Sequence, residues 1–77
     1  MLKKLHELSR DERGIIVRIT GSPHLKQRLL ELGIREGKEV LRKADAPMGD
    51  PISIVVMGIN LSLRRQISNH IWVEVED

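Results

Sequence analysis

Between Ala46 and Arg65 the chain stops, turns and restarts in a way that leaves few folds open. Pro47 and Pro51 fix φ near about −65° and cannot donate to a strand ladder. Gly49 admits a positive φ, and Asp50 before a proline favours a turn. From Ile52 onward the side chains alternate: Ile52, Ile54 and Val56 on one face, Ser53, Val55 and Met57 on the other. Gly58-Ile59-Asn60 has the composition of a short connection. Leu61 and Leu63 then return on one face, with Asn60, Ser62 and Arg64 opposite. This spells a β-hairpin around which the rest of the chain must wrap.

With 77 residues the chain forms a single domain, residues 1–77. A domain of this size buries roughly 60% of the surface of its unfolded chain, so its core must be compact. There is no Cys, Phe or Tyr, and Trp72 is the single aromatic. The core is therefore aliphatic, and neither a disulfide nor a thiolate metal site can form, which fits a reducing compartment. Thirteen basic and 11 acidic residues leave a formal charge of +2, a small surplus that the acidic end Glu74–Asp77 partly offsets. Met1-Leu-Lys-Lys4 imitates the start of a signal peptide, but His6, Glu7, Arg10, Asp11, Glu12 and Arg13 interrupt the apolar segment that should follow. The longest apolar run, Ile54 to Ile59, falls far short of the ~20 residues that span a bilayer. A soluble, cytoplasmic chain is expected.

In order along the chain, Leu2, Leu5 and Leu8 lie three apart, which fits one helical turn or a loosely packed leader. Asp11–Gly14 reads as a turn. Gly14–Thr20 reads as a strand with Ile15, Val17 and Ile19 facing one way. Ser22 and Pro23 open a helix as cap and first residue. Leu25, Leu29 and Leu32 form one stripe on it, with Leu30 off the stripe. Gly33 ends the helix and folds Ile34 back onto Leu29. Arg35–Lys38 turns again, and Lys38–Lys43 is a strand with Val40 and Leu41 on opposite faces. Arg65–His70 is a single helical turn with Ile67 inward. Ile71–Val75 is the last strand, with Ile71, Val73 and Val75 inward and Trp72 outward. The sum is a mainly β chain of about five short strands and one α-helix, whose edges are best removed by full or partial closure into a small barrel.

Little of this sequence carries reaction chemistry. His6, His24 and His70 include no metal-ligand spacing on one helix and read as surface histidines; the alternative is a site assembled across loops or subunits. Gly33-Ile-Arg-Glu-Gly37-Lys38-Glu39 resembles a phosphate loop only in letters. Its glycine spacing is one short, Glu39 stands where magnesium would need Ser or Thr, and it follows a helix instead of a strand. The serines suit turns, caps and strands, with no base paired to any of them, so no enzyme is expected. Arg64-Arg65, Arg42-Lys43 and Lys26/Arg28 could contact phosphate or form a solvated rim. Val55, Met57, Trp72 and Leu30 are apolar on faces turned from the core, where they either pack under a neighbouring segment or form an interaction surface.

Three segments in series carry a family resemblance: Arg28-Leu-Leu-Glu-Leu-Gly-Ile-Arg-Glu-Gly-Lys-Glu-Val40, Ala46-Pro-Met-Gly-Asp-Pro-Ile-Ser-Ile54 and Leu61-Ser-Leu-Arg-Arg65, with the ending Ile71-Trp-Val-Glu74. Together they resemble the FeoA family from about Leu5 to Val75. Arg10-Asp11 departs from the family's Pro-Gly, and Asp45 lies where the family loop is more basic or apolar. The resemblance implies a small SH3-like barrel that serves bacterial ferrous iron uptake. It implies a cytosolic accessory or regulatory role beside FeoB, a membrane transporter with a cytoplasmic GTP-binding domain, and contact with the membrane only through that partner. The same barrel is similar to the C-terminal domain of DtxR-type metal-dependent repressors. The initial Met1 and the lack of a DNA-reading helix pair favour the free-standing form.

On that reading, the candidate partner-binding residues are Leu25, Leu29, Leu30 and Leu32 on the helix and Met48, Met57 and Arg64 on the barrel. Leu32 is the one most expected to be plain core, and the Ala46–Pro51 loop is expected to wall a cleft beside the helix. No cofactor is expected; His6, His24 and His70 are the only candidates for a transition metal, iron or zinc. Binding to nucleic acid is the alternative that the near-even charge disfavours, and pairing between copies of the chain stays open.

Overall fold

A computed structural model describes residues 1–44 and 46–76. Asp45, the loop residue noted above, lies outside the described residues, as does Asp77. Six strands form one antiparallel sheet: β1 (Leu2–Lys4), β2 (Arg13–Ile19), β3 (Glu39–Arg42), β4 (Ile52–Val56), β5 (Ile59–Leu63) and β6 (Ile71–Glu74). The strand order is β1-β6-β2-β3-β4-β5. Helix α1 (Pro23–Glu31) joins β2 to β3, and a single turn, α2 (Arg65–Ser68), joins β5 to β6. Among the described residues no ladder links β1 to β5, so the SH3-like barrel is partly closed.

The hairpin positions everything else. Val56 pairs with Ile59 and Ile54 with Leu61, which leaves Met57-Gly58 as a two-residue turn. Their φ values are 53° and 77°, both in the left-handed region that a type I′ hairpin turn demands. The expected connection Gly58-Ile59-Asn60 is thereby corrected, because Ile59 and Asn60 belong to β5. Ile52, Ile54, Val56 and Leu63 are buried, and Leu61 packs against them, as the alternation requires.

The opening residues differ most from expectation. Leu2–Lys4 is a sixth strand, paired with β6 in the register Leu2↔Glu74 to Lys4↔Trp72. A 3₁₀ turn follows (Leu5–Glu7), and Leu5 and Leu8 enter the core at 0% and 3% exposure. Arg42 holds this segment down. It was grouped above with exposed cations, but its side chain is buried and its Nη1 donates to the carbonyls of His6 and Leu8, each at 3.0 Å. A guanidinium is tolerated inside only when such acceptors meet it. The turn before β2 survives the departure from the family pattern, but it lies at Arg10-Asp11 and not over the expected Asp11–Gly14, because Arg13 and Gly14 already pair with β3. Asp11 itself takes φ 67°, which a short polar side chain tolerates, and its N–H donates to the Arg42 carbonyl at 2.8 Å.

In β2 the expected common face for Ile15, Val17 and Ile19 is corrected. The register shifts between Ile16 and Arg18, so Val17 is an extra residue. Ile16 is buried and Ile19 packs on the core, while Ile15 and Val17 face outward. Helix α1 begins and ends as its letters predict. The Ser22 hydroxyl accepts from the Leu25 N–H at 3.1 Å. At the far end Gly33 has φ 91°; its N–H reaches the Leu30 carbonyl, and the Ile34 N–H reaches the Leu29 carbonyl at 2.9 Å. This is a Schellman closure, and it drives Ile34 into the core beside Leu29. Ile67 packs on the core from α2 as expected, Ile71 and Val73 are buried on β6, and Val75 is buried just beyond it.

Gly14 lies where β6 approaches β2 closely. A Cβ there would overlap Val73 Cγ1 and lie 2.7 Å from the Glu74 backbone oxygen. Gly14→Ala is expected to cost about 1–3 kcal/mol in urea unfolding, because one of the two obstructing atoms is main chain and cannot swing away. An unchanged midpoint would contradict this packing.

Candidate functional site

Helix α1 lies against the end of the hairpin, and four exposed apolar residues, Leu30, Leu32, Met57 and Ile59, gather along this contact. On one side of α1 is a cleft of about 240 Å³, floored by Leu29 and walled by Leu25, Leu32, Leu63 and Ile67. On the other is a shallower groove of about 330 Å³ between Leu30, Leu32, Met57 and Ile59. Leu32 borders both, so the two hollows form one apolar strip around the helix end. Arg28 edges the cleft, while Arg35, Lys38 and the single acid Glu31 edge the groove.

The sequence-derived candidates divide accordingly. Leu30, Leu32 and Met57 are on this strip and exposed, at 40%, 45% and 62%. Leu25 is half-buried in the cleft wall. Leu29 is 2% exposed and belongs to the core, so it supports the strip from beneath. The expectation that Leu32 would be plain core is corrected. The helix ends at Glu31, Leu32 becomes its C-terminal cap, and Ile34 takes the core position after the Gly33 reversal. Met48 is 91% exposed but borders neither hollow. Arg64 is exposed and 3.8 Å from Asp50.

The loop does not wall the cleft as expected. Residues 46–51 turn toward α2 instead: Asp50 Oδ1 accepts from the Arg65 N–H at 3.0 Å, and Arg65 Nε donates to the Gly49 carbonyl at 2.7 Å. Leu63 and Ile67 supply the wall. Ile59, exposed and central to the groove, was missed because Met57 is not a turn-forming residue. Extending the Leu61/Leu63 alternation back by two positions would have placed it in the strand but on the core face, which the strand end leaves open.

Met57 combines two costs. It is a large apolar side chain in water and a non-glycine residue held at φ 53°. Local preference at that turn position favours Asn, Asp or Gly. A residue that violates both rules at once points to a role outside the fold's own stability.

The three histidines occupy separate settings. His6 Nδ1 is 3.2 Å from the Ser68 hydroxyl, His70 Nδ1 is 3.1 Å from the Thr20 hydroxyl, and His24 borders the cleft. Among the described residues no group of three or more His, Asp or Glu side chains could hold a metal ion. Burial lowers the pKa of His6 from its ordinary value of 6.5; Arg65, Lys4 and Arg42 add to the effect and Glu7 opposes it. The Glu12 carboxyl is also lowered, by the Ser9 N–H and then by Lys3.

A partly closed SH3-like barrel with one capped helix across its end, carrying an apolar strip beside that helix, defines a small SH3-like domain. Residues 3–75 match the family described as FeoA domain, and the chain belongs to that family. A relative from Porphyromonas gingivalis (strain ATCC BAA-308 / W83), the Fe(2+) transport protein A/Fe(2+) transporter FeoB fusion protein, is 36% identical over 72 residues. That alignment covers 94% of this chain, which spans 8% of the fusion's length. The crystal structure of an iron uptake regulatory protein (FeoA) superposes with a TM-score of 0.88 at 27% identity, covering 96% of this chain and 97% of the other. A manganese-dependent transcriptional repressor gives 0.87 at 18% identity, over 97% of this chain and 42% of its own, a likeness of fold. Among the described residues no helix is long and apolar enough to cross a membrane.

The His6 shift has a pH consequence with a definite sign. A lowered folded-state pKa means the unfolded chain takes up the proton first as pH falls. Stability is therefore expected to be level above pH 6.5 with respect to this group and to decline as pH drops through that value. His6→Gln should flatten that segment of a stability–pH curve measured by urea unfolding. The Glu12 contribution is lost separately, as pH falls below 4.5.

Proposed function

We propose that this chain is a non-enzymatic accessory domain of ferrous iron uptake that docks on the cytoplasmic side of a FeoB-type transporter. The observation that carries the proposal is the Porphyromonas gingivalis fusion, in which a relative of this chain is joined to FeoB in one protein. Domains covalently joined in one polypeptide commonly work in contact. The apolar strip supplies a surface for that contact: Leu30, Leu32, Met57 and Ile59 are exposed side by side, and such patches on small soluble domains mark interaction sites. Arg28, Arg35 and Lys38 at its border match a partner surface that surrounds an apolar spot with carboxylates.

On this reading Leu30 and Met57 are anchors and Met48 is a bystander. Calorimetric titration of the transporter's cytosolic domain is expected to show Leu30→Glu weakening binding at least about tenfold, close to 1.4 kcal/mol, with Met48→Ala unchanged. Met57→Asn should separate stability from binding. Asn tolerates the left-handed region better than Met, so the variant is expected to raise unfolding stability by roughly 1 kcal/mol, while loss of the apolar anchor weakens binding. Undiminished binding by both variants, with the fold intact, would overturn this assignment.

A further inference from the structure

The two edges of the sheet are unequal. β1 carries Lys3 and Lys4; Lys3 pairs with Glu12 at 3.1 Å, and the Lys4 ammonium lies 5.4 Å from the centre of the Trp72 ring. Charges of this kind guard an edge against further pairing. β5 has no such guard. Ile59-Asn60-Leu61-Ser62-Leu63 contains no charge and no proline, and its register with β4 runs without a bulge.

The backbone of β5 is open on its far side. Across the two-residue turn Val56 and Ile59 bond to each other, so Ile54–Leu61 and Ile52–Leu63 are bonded pairs as well. The other strand face agrees, since the Ser53 carbonyl turns to β3 and accepts from the Lys43 N–H at 2.8 Å. Asn60 and Ser62 therefore aim N–H and C=O away from β4. Both residues are exposed, and among the described residues no backbone hydrogen bond from another element reaches them.

We propose that β5 pairs with β5 of a second copy of this chain, antiparallel, about a two-fold axis through Leu61. The sequence is self-complementary in that register. Asn60 falls opposite Ser62 of the second copy, and the two exchange N–H···O bonds on both sides of the axis. Leu61 meets its own counterpart in a non-hydrogen-bonded pair, where side chains approach most closely. Ile59, 56% exposed in the single chain, falls opposite Leu63 at the mouth of the apolar cleft. The nearest cation, Arg64, falls opposite Gly58, so no like charges oppose each other. A second copy is the occupant because the same five residues answer every donor, acceptor and apolar position of the edge. This pairing does not rest on docking to a transporter, although both would cover Ile59.

The test uses the full chain. Sedimentation velocity from roughly 10 µM to 1 mM should show a monomer–dimer equilibrium, and NMR on a mixture of isotope-labelled and unlabelled chains should give a Leu61 Hα to Leu61 Hα contact between copies. The exposed double substitution Asn60→Lys with Ser62→Lys sets cations opposite each other across the axis. It should weaken association at least about tenfold while leaving the β4–β5 cross-strand contacts intact. A chain that stays monomeric over this range, a dimer without the Leu61 contact, or undiminished association of the double variant would each overturn the proposal. So would Asn60 and Ser62 amides protected from exchange only when the transporter's cytosolic domain is added, which would assign the edge to a strand of that partner.

Discussion

Two residues of positive φ, Met57 and Gly58, set the register on which the rest of this molecule depends. With them in the turn, Ile54 faces Leu61 and Ile52 faces Leu63, and the inner face of the hairpin becomes continuous. A slip by one position would send Ile52, Ile54 and Val56 to solvent and replace them with Ser53 and Val55. In a domain without Phe or Tyr those three side chains have no substitute in the core. The same register leaves Met57 and Ile59 outside the core, beside the end of α1.

The core closes at the other side by a different device. Aliphatic side chains from the sheet need a lid, and α1 supplies only Leu29 in full and Leu25 in part. Leu5 and Leu8 complete it from the N-terminal segment, held by the buried Arg42 guanidinium. The barrel is thus braced at one end and apolar at its surface at the other. That separation allows the apolar strip to be altered without dismantling the core beneath it, Leu29 excepted.

Elements with strong local signals were legible in the sequence. The α1 boundaries follow from Ser22, Pro23 and Gly33, the inner face of β4 from strict alternation, and β6 from Ile71, Val73 and Val75. What local signals missed was decided by tertiary contacts. β1 is too short to alternate visibly, and a bulge at Val17 hides the true inward residues of β2. Arg42 reads as a surface charge until the carbonyls of His6 and Leu8 meet it. For the candidate surface, Leu30 and Met57 were legible as apolar residues off the core face. Leu32 was misjudged because helical spacing does not reveal that the Gly33 reversal hands its place to Ile34, and Ile59 was hidden by an atypical turn.

The most direct test of the account is where a partner touches this barrel. Isotope-labelled chain would be titrated with the cytosolic domain of a FeoB-type transporter, and amide shifts followed at low and moderate salt. Docking through the apolar strip requires shifts concentrated from Leu25 to Gly33 and from Val56 to Ile59. They should persist as salt screens the contributions of Arg28, Arg35 and Lys38. Shifts concentrated on β1, β6 and β2, with the α1 end unmoved, would contradict it.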